Sequence, residues 1–128
     1  MPAHVLLVED DAEGRDALAA LLRFWGYAVD VAETGRQALE LAARCPAIVV
    51  LDIGLPDMTG AAVTVAMKAL PVPPFIVAYT GFHRLEAETH AAGCDGFVLK
   101  PGIEALRAVL ATATLIPARA KKVSGDAG

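Results

Sequence analysis

Five short apolar runs recur along the chain, and the segments between them repeat apolar residues at helical spacing. His4–Val8 reads as a strand buried on both faces, as do Ala47–Leu51, Phe75–Tyr79 and Gly96–Leu99. Tyr27–Val31 alternates instead, as a strand nearer an edge does. Leu18, Leu21, Leu22 and Trp25 stand at i, i+3, i+4, i+7 and predict a first helix, with Gly26 suited to its carboxyl cap. Thr34-Gly35-Arg36-Gln37 has the form of a capping box and opens a second helix, whose face Ala38, Leu41, Ala42 and Cys45 ends before Pro46. Thr59-Gly60 leads a third helix to about Leu70, with Val63, Met67 and Leu70 as its stripe and Pro71 as its stop. A fourth, from about His83 to Ala92, has Leu85 and small alanines but little else to bury, and Gly93 ends it. Ile103, Leu106, Val109, Leu110 and Ala113 make the last helix.

Strand and helix thus alternate five times, with connections about as short as a crossover allows. The expectation is a doubly wound α/β domain with a parallel sheet and helices on both faces. At 128 residues the chain is long enough for one core and too short for two. Periodicity is lost from Ile116, so residues 1–116 are expected to form the domain and residues 117–128 a disordered tail or the start of a linker.

Composition narrows the function classes. The net charge is −4, and the one basic cluster, Arg119, Lys121 and Lys122, falls in the tail, which argues against direct binding of nucleic acid. Prolines 71, 73 and 74 interrupt the chain, and no apolar stretch is long enough to span a membrane. Strand residues begin directly after Met1-Pro2-Ala3, so no secretory signal is expected. Cys45 and Cys94 form no CxxC pair and are expected to be reduced, in a cytoplasmic protein. His83 and His90 are seven residues apart and lack metal-ligand spacing.

The residues that follow four of the strands carry the chemistry: Glu9 and Asp10, Asp52, Thr80 and Lys100. In a parallel sheet these positions share one rim, the rim where ligands bind in open α/β folds. Each has a plain alternative. Glu9 and Asp10 could favour a helix start, Thr80 could cap a helix, and Asp52 and Lys100 could be strand-end charges. Together they are harder to dismiss. Three close carboxylates repel one another and need a counter-charge. A hard divalent cation such as Mg2+ supplies it, since one or two carboxylates plus a phosphate suit its oxygen preference. Lys100 could clamp a phosphoryl oxygen and Thr80 offers a hydroxyl, so the group reads as a site that binds Mg2+ and accepts a phosphoryl group on Asp52.

Four motifs, Val-Glu-Asp-Asp at 8–11, Leu-Asp-Ile-Gly-Leu-Pro-Asp-Met-Thr-Gly at 51–60, Tyr-Thr-Gly at 79–81 and Lys-Pro at 100–101, resemble those of response regulator receiver domains, over about residues 4–113. The resemblance implies a flavodoxin-like fold with sheet order 2-1-3-4-5 and five helices. It implies Asp52 as the phosphoacceptor and a histidine kinase or histidine-containing phosphotransfer protein as the donor. Asp10 would ligate Mg2+ directly, Glu9 through water, and the Gly54 carbonyl would be a further ligand. Thr80 and Lys100 would hold phosphoryl oxygens, and in the family the bond before the Pro of this Lys-Pro pair is often cis, which would aim Lys100 into the site. Phe97 falls on the aromatic switch position, where a plain core aromatic is the other reading. Asp11 and Asp57 read as surface or capping residues, with a metal-site role for Asp11 as the alternative.

This chain departs from the family pattern at several points. Phe97 lacks the hydroxyl of the commoner Tyr, and Gly102 stands where many members have a bulky apolar residue. The last helix lacks the dense charge pattern of members that dimerise, so a monomer is expected. Gly54 and Phe82 occupy the two positions that flank the approach of water to an aspartyl phosphate, and neither can orient it; a long-lived phosphorylated state is expected. Two other classes compete. A small phosphatase of the haloacid-dehalogenase type would need a second Asp where Gly54 stands. A flavodoxin-like FMN carrier would need a phosphate-cradling loop where Glu9-Asp10-Asp11 stands.

Overall fold

Ile48–Leu51, the third strand (β3), is buried at all four positions, and it is central because both of its edges are paired. In the computed structural model, which describes residues 3–81 and 85–114, β3 lies between β1 (His4–Val8) and β4 (Phe75–Thr80). The sheet is completed by β2 (Ala28–Ala32) outside β1 and β5 (Gly96–Leu99) outside β4. All four pairings are parallel and the order is β2-β1-β3-β4-β5, as the doubly wound reading requires. The helices are α1 (Ala12–Phe24), α2 (Gly35–Leu41), α3 (Gly60–Lys68), α4 (Glu86–Ala91) and α5 (Ile103–Thr114). None is long and apolar enough to cross a membrane.

Alternate side chains of each strand enter different layers. Val5, Leu7, Ile48, Val50, Val77, Tyr79 and Val98 pack on one face with Leu18 and Leu22 of α1 and Leu106 and Leu110 of α5. Leu6, Val8, Val49, Leu51, Ile76 and Ala78 pack on the other with Ala38 of α2 and Val63 and Met67 of α3. Leu85 and Phe97 join this second layer, and α4 contacts α3 there. Both layers are continuous beneath the carboxyl rim, which holds the strand ends at fixed spacing.

Several boundaries differ from the sequence expectation for identifiable reasons. β2 starts at Ala28 and not Tyr27, because the Tyr27 N–H donates to Leu22 O and the Gly26 N–H to Arg23 O, closing α1 in a Schellman motif with Gly26 at φ 103°. α2 ends at Leu41 and continues as a 3-10 turn, Ala42–Arg44, before left-handed Cys45. α3 ends at Lys68 because Ala69 and Leu70 donate to carbonyls three residues back. β4 runs one residue further than expected, so Thr80 is its last residue, paired with Leu99. Within the expected fourth helix, α4 covers Glu86–Ala91, and His83 lies outside the described residues, as do Phe82 and the whole of 115–128 with its basic cluster. Neither cysteine forms a disulfide: Cys45 is exposed, and buried Cys94 donates to Ile76 O, its thiol pKa pushed up by burial.

The amino edge of the sheet is tied by ion pairs. His4 Nε2 and Arg44 Nη1 both reach Asp30 Oδ2, at 2.9 and 3.1 Å, joining β1, β2 and the 3-10 turn. Partial burial works to raise the Asp30 pKa, but the hydrogen bonds from Arg44 and His4 outweigh it and hold the carboxyl below its ordinary value. A depressed folded-state pKa contributes stability above the unfolded value, about 3.9, and that contribution is lost as pH falls through the folded value. Urea midpoints measured from pH 6 down to pH 3 should therefore fall more steeply for the unmodified chain than for Asp30→Asn; parallel curves would remove Asp30 from the acid response.

Candidate functional site

The β1–β3 register pairs Val8 with Leu51, so Glu9 and Asp52 are the next residues on adjacent strands. Their backbones remain in the ladder: the Glu9 N–H donates to Ala32 O at 3.0 Å and the Asp52 N–H to Val8 O at 2.9 Å. Asp10 follows on an exposed turn, and Arg15 of α1 donates to the carbonyl oxygens of Glu9 and Asp10, holding that turn against the helix. One carboxylate oxygen each of Glu9, Asp10 and Asp52 lies within 4.8 Å of the others, and among the described residues this is the group of acidic side chains that could hold a metal ion. An all-oxygen donor set of this kind is what Mg2+ takes.

Lys100 enters from the other side of the rim. It is the first residue after β5, and its N–H donates to Thr80 O at 2.9 Å, which extends the β4–β5 ladder by one step. Its ammonium is 2.6 Å from Glu9 Oε1, 3.7 Å from Asp52 Oδ2 and 5.7 Å from the centroid of the Tyr79 ring. The Lys100–Pro101 peptide is cis, the form often found at this position in the family it resembles. Burial disfavours the Lys100 ammonium, but the hydrogen bond to Glu9 and the charges of Asp52 and Glu9 outweigh that, and its pKa lies above the ordinary lysine value. Glu9 is only 5% exposed, and this contact is what makes a buried carboxylate acceptable. Within the acidic group, one Glu9 oxygen holds Lys100 and the other accepts the Asp11 N–H at 3.2 Å.

Thr80 is fully buried at the end of β4, on the same rim. Phe97 is not part of this group. It sits two residues before Leu99 in β5, packs partly buried on the α3 layer, and has the His90 ring 6.4 Å away. Asp11 caps α1, accepting the Gly14 N–H at 2.8 Å, which bears out its capping role.

The loop after β3 carries Gly54, whose N–H donates to Asp52 Oδ1 at 3.3 Å. The loop is drawn closed by a bridge between Gly54 and Thr59 and by the Gly60 N–H donating to Ile53 O at 3.1 Å. At its tip Asp57 accepts two N–H groups from a different helix: Gly35 to Oδ1 at 2.8 Å and Arg36 to Oδ2 at 3.0 Å. Hydrogen bonds from these two amides hold the exposed Asp57 carboxyl below the ordinary range. Asp57 is thus a capping residue as expected, but of α2, twenty-odd residues earlier. Linear spacing holds no signal for a cap made across the chain.

The sequence model for the response regulator receiver domain matches residues 5–111. The chain belongs to the receiver domain family. It is 37% identical over 101 residues to the transcriptional regulatory protein ZraR of Escherichia coli O157:H7, covering 76% of this chain and 23% of ZraR. It is 37% identical over 106 residues to the transcriptional regulatory protein KdpE of Mycobacterium tuberculosis, covering 76% of this chain and 44% of KdpE. The receiver domain therefore spans less than half the length of these relatives. Among solved structures, a CheY-like receiver domain from Methylobacillus flagellatus superposes with a TM-score of 0.80 at 29% identity, covering 88% of this chain and 99% of that one. Another from Methanospirillum hungatei gives 0.80 at 25%, covering 95% and 99%. This is a receiver domain of two-component signalling, and neither a dehalogenase-type phosphatase nor an FMN carrier is favoured.

Closure of the β3–α3 loop depends on Gly60 having no side chain. A Cβ there would stand 2.8 Å from Ile53 Cα and 2.7 Å from Ile53 Cδ1, and backbone cannot yield cheaply. Gly60→Ala should lower stability by about 1–3 kcal/mol, as overpacking generally does, seen as a lower urea midpoint. An unchanged midpoint would mean that the loop has slack.

Proposed function

We propose that Asp52 accepts a phosphoryl group from a phosphohistidine, with Asp10, Asp52 and the Gly54 carbonyl as the residues that hold Mg2+ and Glu9 acting on it through water. The observation that supports this most directly is the juxtaposition of Glu9, Asp10 and Asp52 oxygens within 4.8 Å, with the Lys100 ammonium 3.7 Å from Asp52. Mg2+, when bound, supplies the positive charge that lets a phosphoryl group approach three carboxylates. An Asp52 carboxylate oxygen attacks phosphorus, the bond from phosphorus to the donor's imidazole nitrogen breaks, and that nitrogen retains the electron pair and takes a proton. Lys100 moves from Glu9 toward a phosphoryl oxygen and offsets the charge spread over it. Thr80 donates its hydroxyl to a second oxygen and so couples phosphorylation to the end of β4, with Phe97 as the residue that reports the change. The donor is a histidine kinase or a histidine-containing phosphotransfer protein, and the setting is the cytoplasm. The domain is a signalling acceptor with at most weak self-phosphorylation and autophosphatase activity.

Incubation with acetyl phosphate and Mg2+ should add one phosphoryl mass, and Asp52→Asn should abolish it. Labelling of equal extent in EDTA would sink the reading. Lys100→Ala should slow phosphorylation about a hundredfold, the usual scale for removing one group that stabilises developing charge, while Thr80→Ala should leave much of the labelling and weaken the conformational response.

The phosphorylated state should last. Hydrolysis needs a water placed in line with phosphorus, and Gly54 offers no side chain to orient it; Phe82, the other flanking position, lies outside the described residues. Decay of the phosphorylated chain, followed by intact mass, should be slow and should quicken in Gly54→Asn. Rapid loss from the unmodified chain would count against this account.

A further inference from the structure

The first four amides of α2 are all satisfied, but not by one source. The Gln37 N–H donates to Thr34 Oγ1 at 3.0 Å and the Ala38 N–H to Thr34 O at 3.0 Å, which is ordinary capping within the helix. The Gln37 side chain reaches back to the Glu33 N–H at 2.7 Å and so completes the box one residue early. The remaining two amides, Gly35 and Arg36, are taken by Asp57 alone, one on each carboxylate oxygen. Helix starts must satisfy these donors, so the arrangement ties the two segments together. A second contact lies beside it. A Cβ on Gly35 would stand 2.8 Å from Met58 Sδ and 3.0 Å from Val63 Cγ2, so the loop tip and the helix start touch without a spacer.

We propose that Asp57 is a positioning residue for the metal loop: by clamping the tip of residues 53–59 to the first turn of α2, it fixes the Gly54 carbonyl for Mg2+. This rests on the reading of Gly54 as a ligand given above. The base of the loop is held at Ile53 and Gly60, and the Gly54–Thr59 bridge stiffens it; at the tip Leu55 and Met58 pack on the α3 layer, and among the described residues the tip's hydrogen bonds to another element are the two that Asp57 accepts. Release of Asp57 leaves the base in place and lets the tip move, and the bridge carries that movement to Gly54. The loop belongs to β3 and α3 while its tether belongs to α2, so the geometry of the site depends on a helix that contributes no residue to it.

The test uses the full chain and two readouts, at a temperature where every variant is folded. Amide hydrogen exchange at residues 53–59 reports the clamp, and the shift of the Gly54 and Asp52 amide resonances during a MgCl2 titration reports the metal. Asp57→Ala should speed exchange in the loop and weaken apparent Mg2+ affinity about tenfold, the low end of what losing a contact that orients a ligand costs. Asp57→Asn, which keeps one acceptor oxygen, should fall between. Gly35→Ala, which keeps the carboxylate but pushes Met58 away, should shift both readouts in the same direction, and it serves if Asp57→Ala does not fold. A lower melting temperature in Asp57→Ala with unchanged loop exchange and unchanged Mg2+ affinity would reduce Asp57 to a helix cap and overturn the proposal. No Mg2+-dependent shift in the unmodified chain would remove the metal reading itself, and the positioning role would fall with it.

Discussion

The parallel pairing of β1 on β3 is the constraint on which the site depends. Val8 faces Leu51 in that ladder, so the residues one step beyond, Glu9 and Asp52, are forced side by side although they lie forty-three residues apart. Two carboxylates set so close repel, and the backbone cannot relieve this because both N–H groups are still bonded within the sheet. The relief comes from β5, whose own ladder delivers Lys100 to 2.6 Å from Glu9. The hydrophobic layers above and below pack the strands that carry these groups and hold them in register. Charge and packing therefore oppose each other at the rim, and packing sets the geometry.

Much of this was legible in the sequence because the relevant signals are local. Apolar runs interrupted by a charged or hydroxylated residue locate strand ends, and the alternation of strands with helical stripes gives the parallel sheet and hence one shared rim. Thr34 and Gln37 announced a helix start, and Gly26 a helix end, that the structure contains. The shortfalls all involve bonds between distant segments or competition for one group. Tyr27 reads as a strand residue by pattern, but its N–H is consumed by the close of α1. Thr80 reads as a loop residue after β4, yet it pairs with Leu99 and is buried. Glu9 shows its charge in the sequence but not its partner: that one of its oxygens is committed to Lys100, ninety-one residues away, follows only from the assembled sheet. Asp57 is the extreme case, since nothing near it in sequence tells which helix it caps.

The division of the core into two layers has a consequence at the rim. Odd-numbered residues of β4, Val77 and Tyr79, serve the layer of α1 and α5, and even-numbered ones, Ile76 and Ala78, serve the layer of α2 and α3. Thr80 continues the even series, and Phe97 on β5 belongs to the same side, against Ala78 in register and His90 in space. Glu9 and Asp52 continue the opposite series, that of Leu7 and Val50. The rim is therefore a seam: Glu9 and Asp52 stand over the layer of α1 and α5, while Thr80 and Phe97 stand over the layer of α2 and α3.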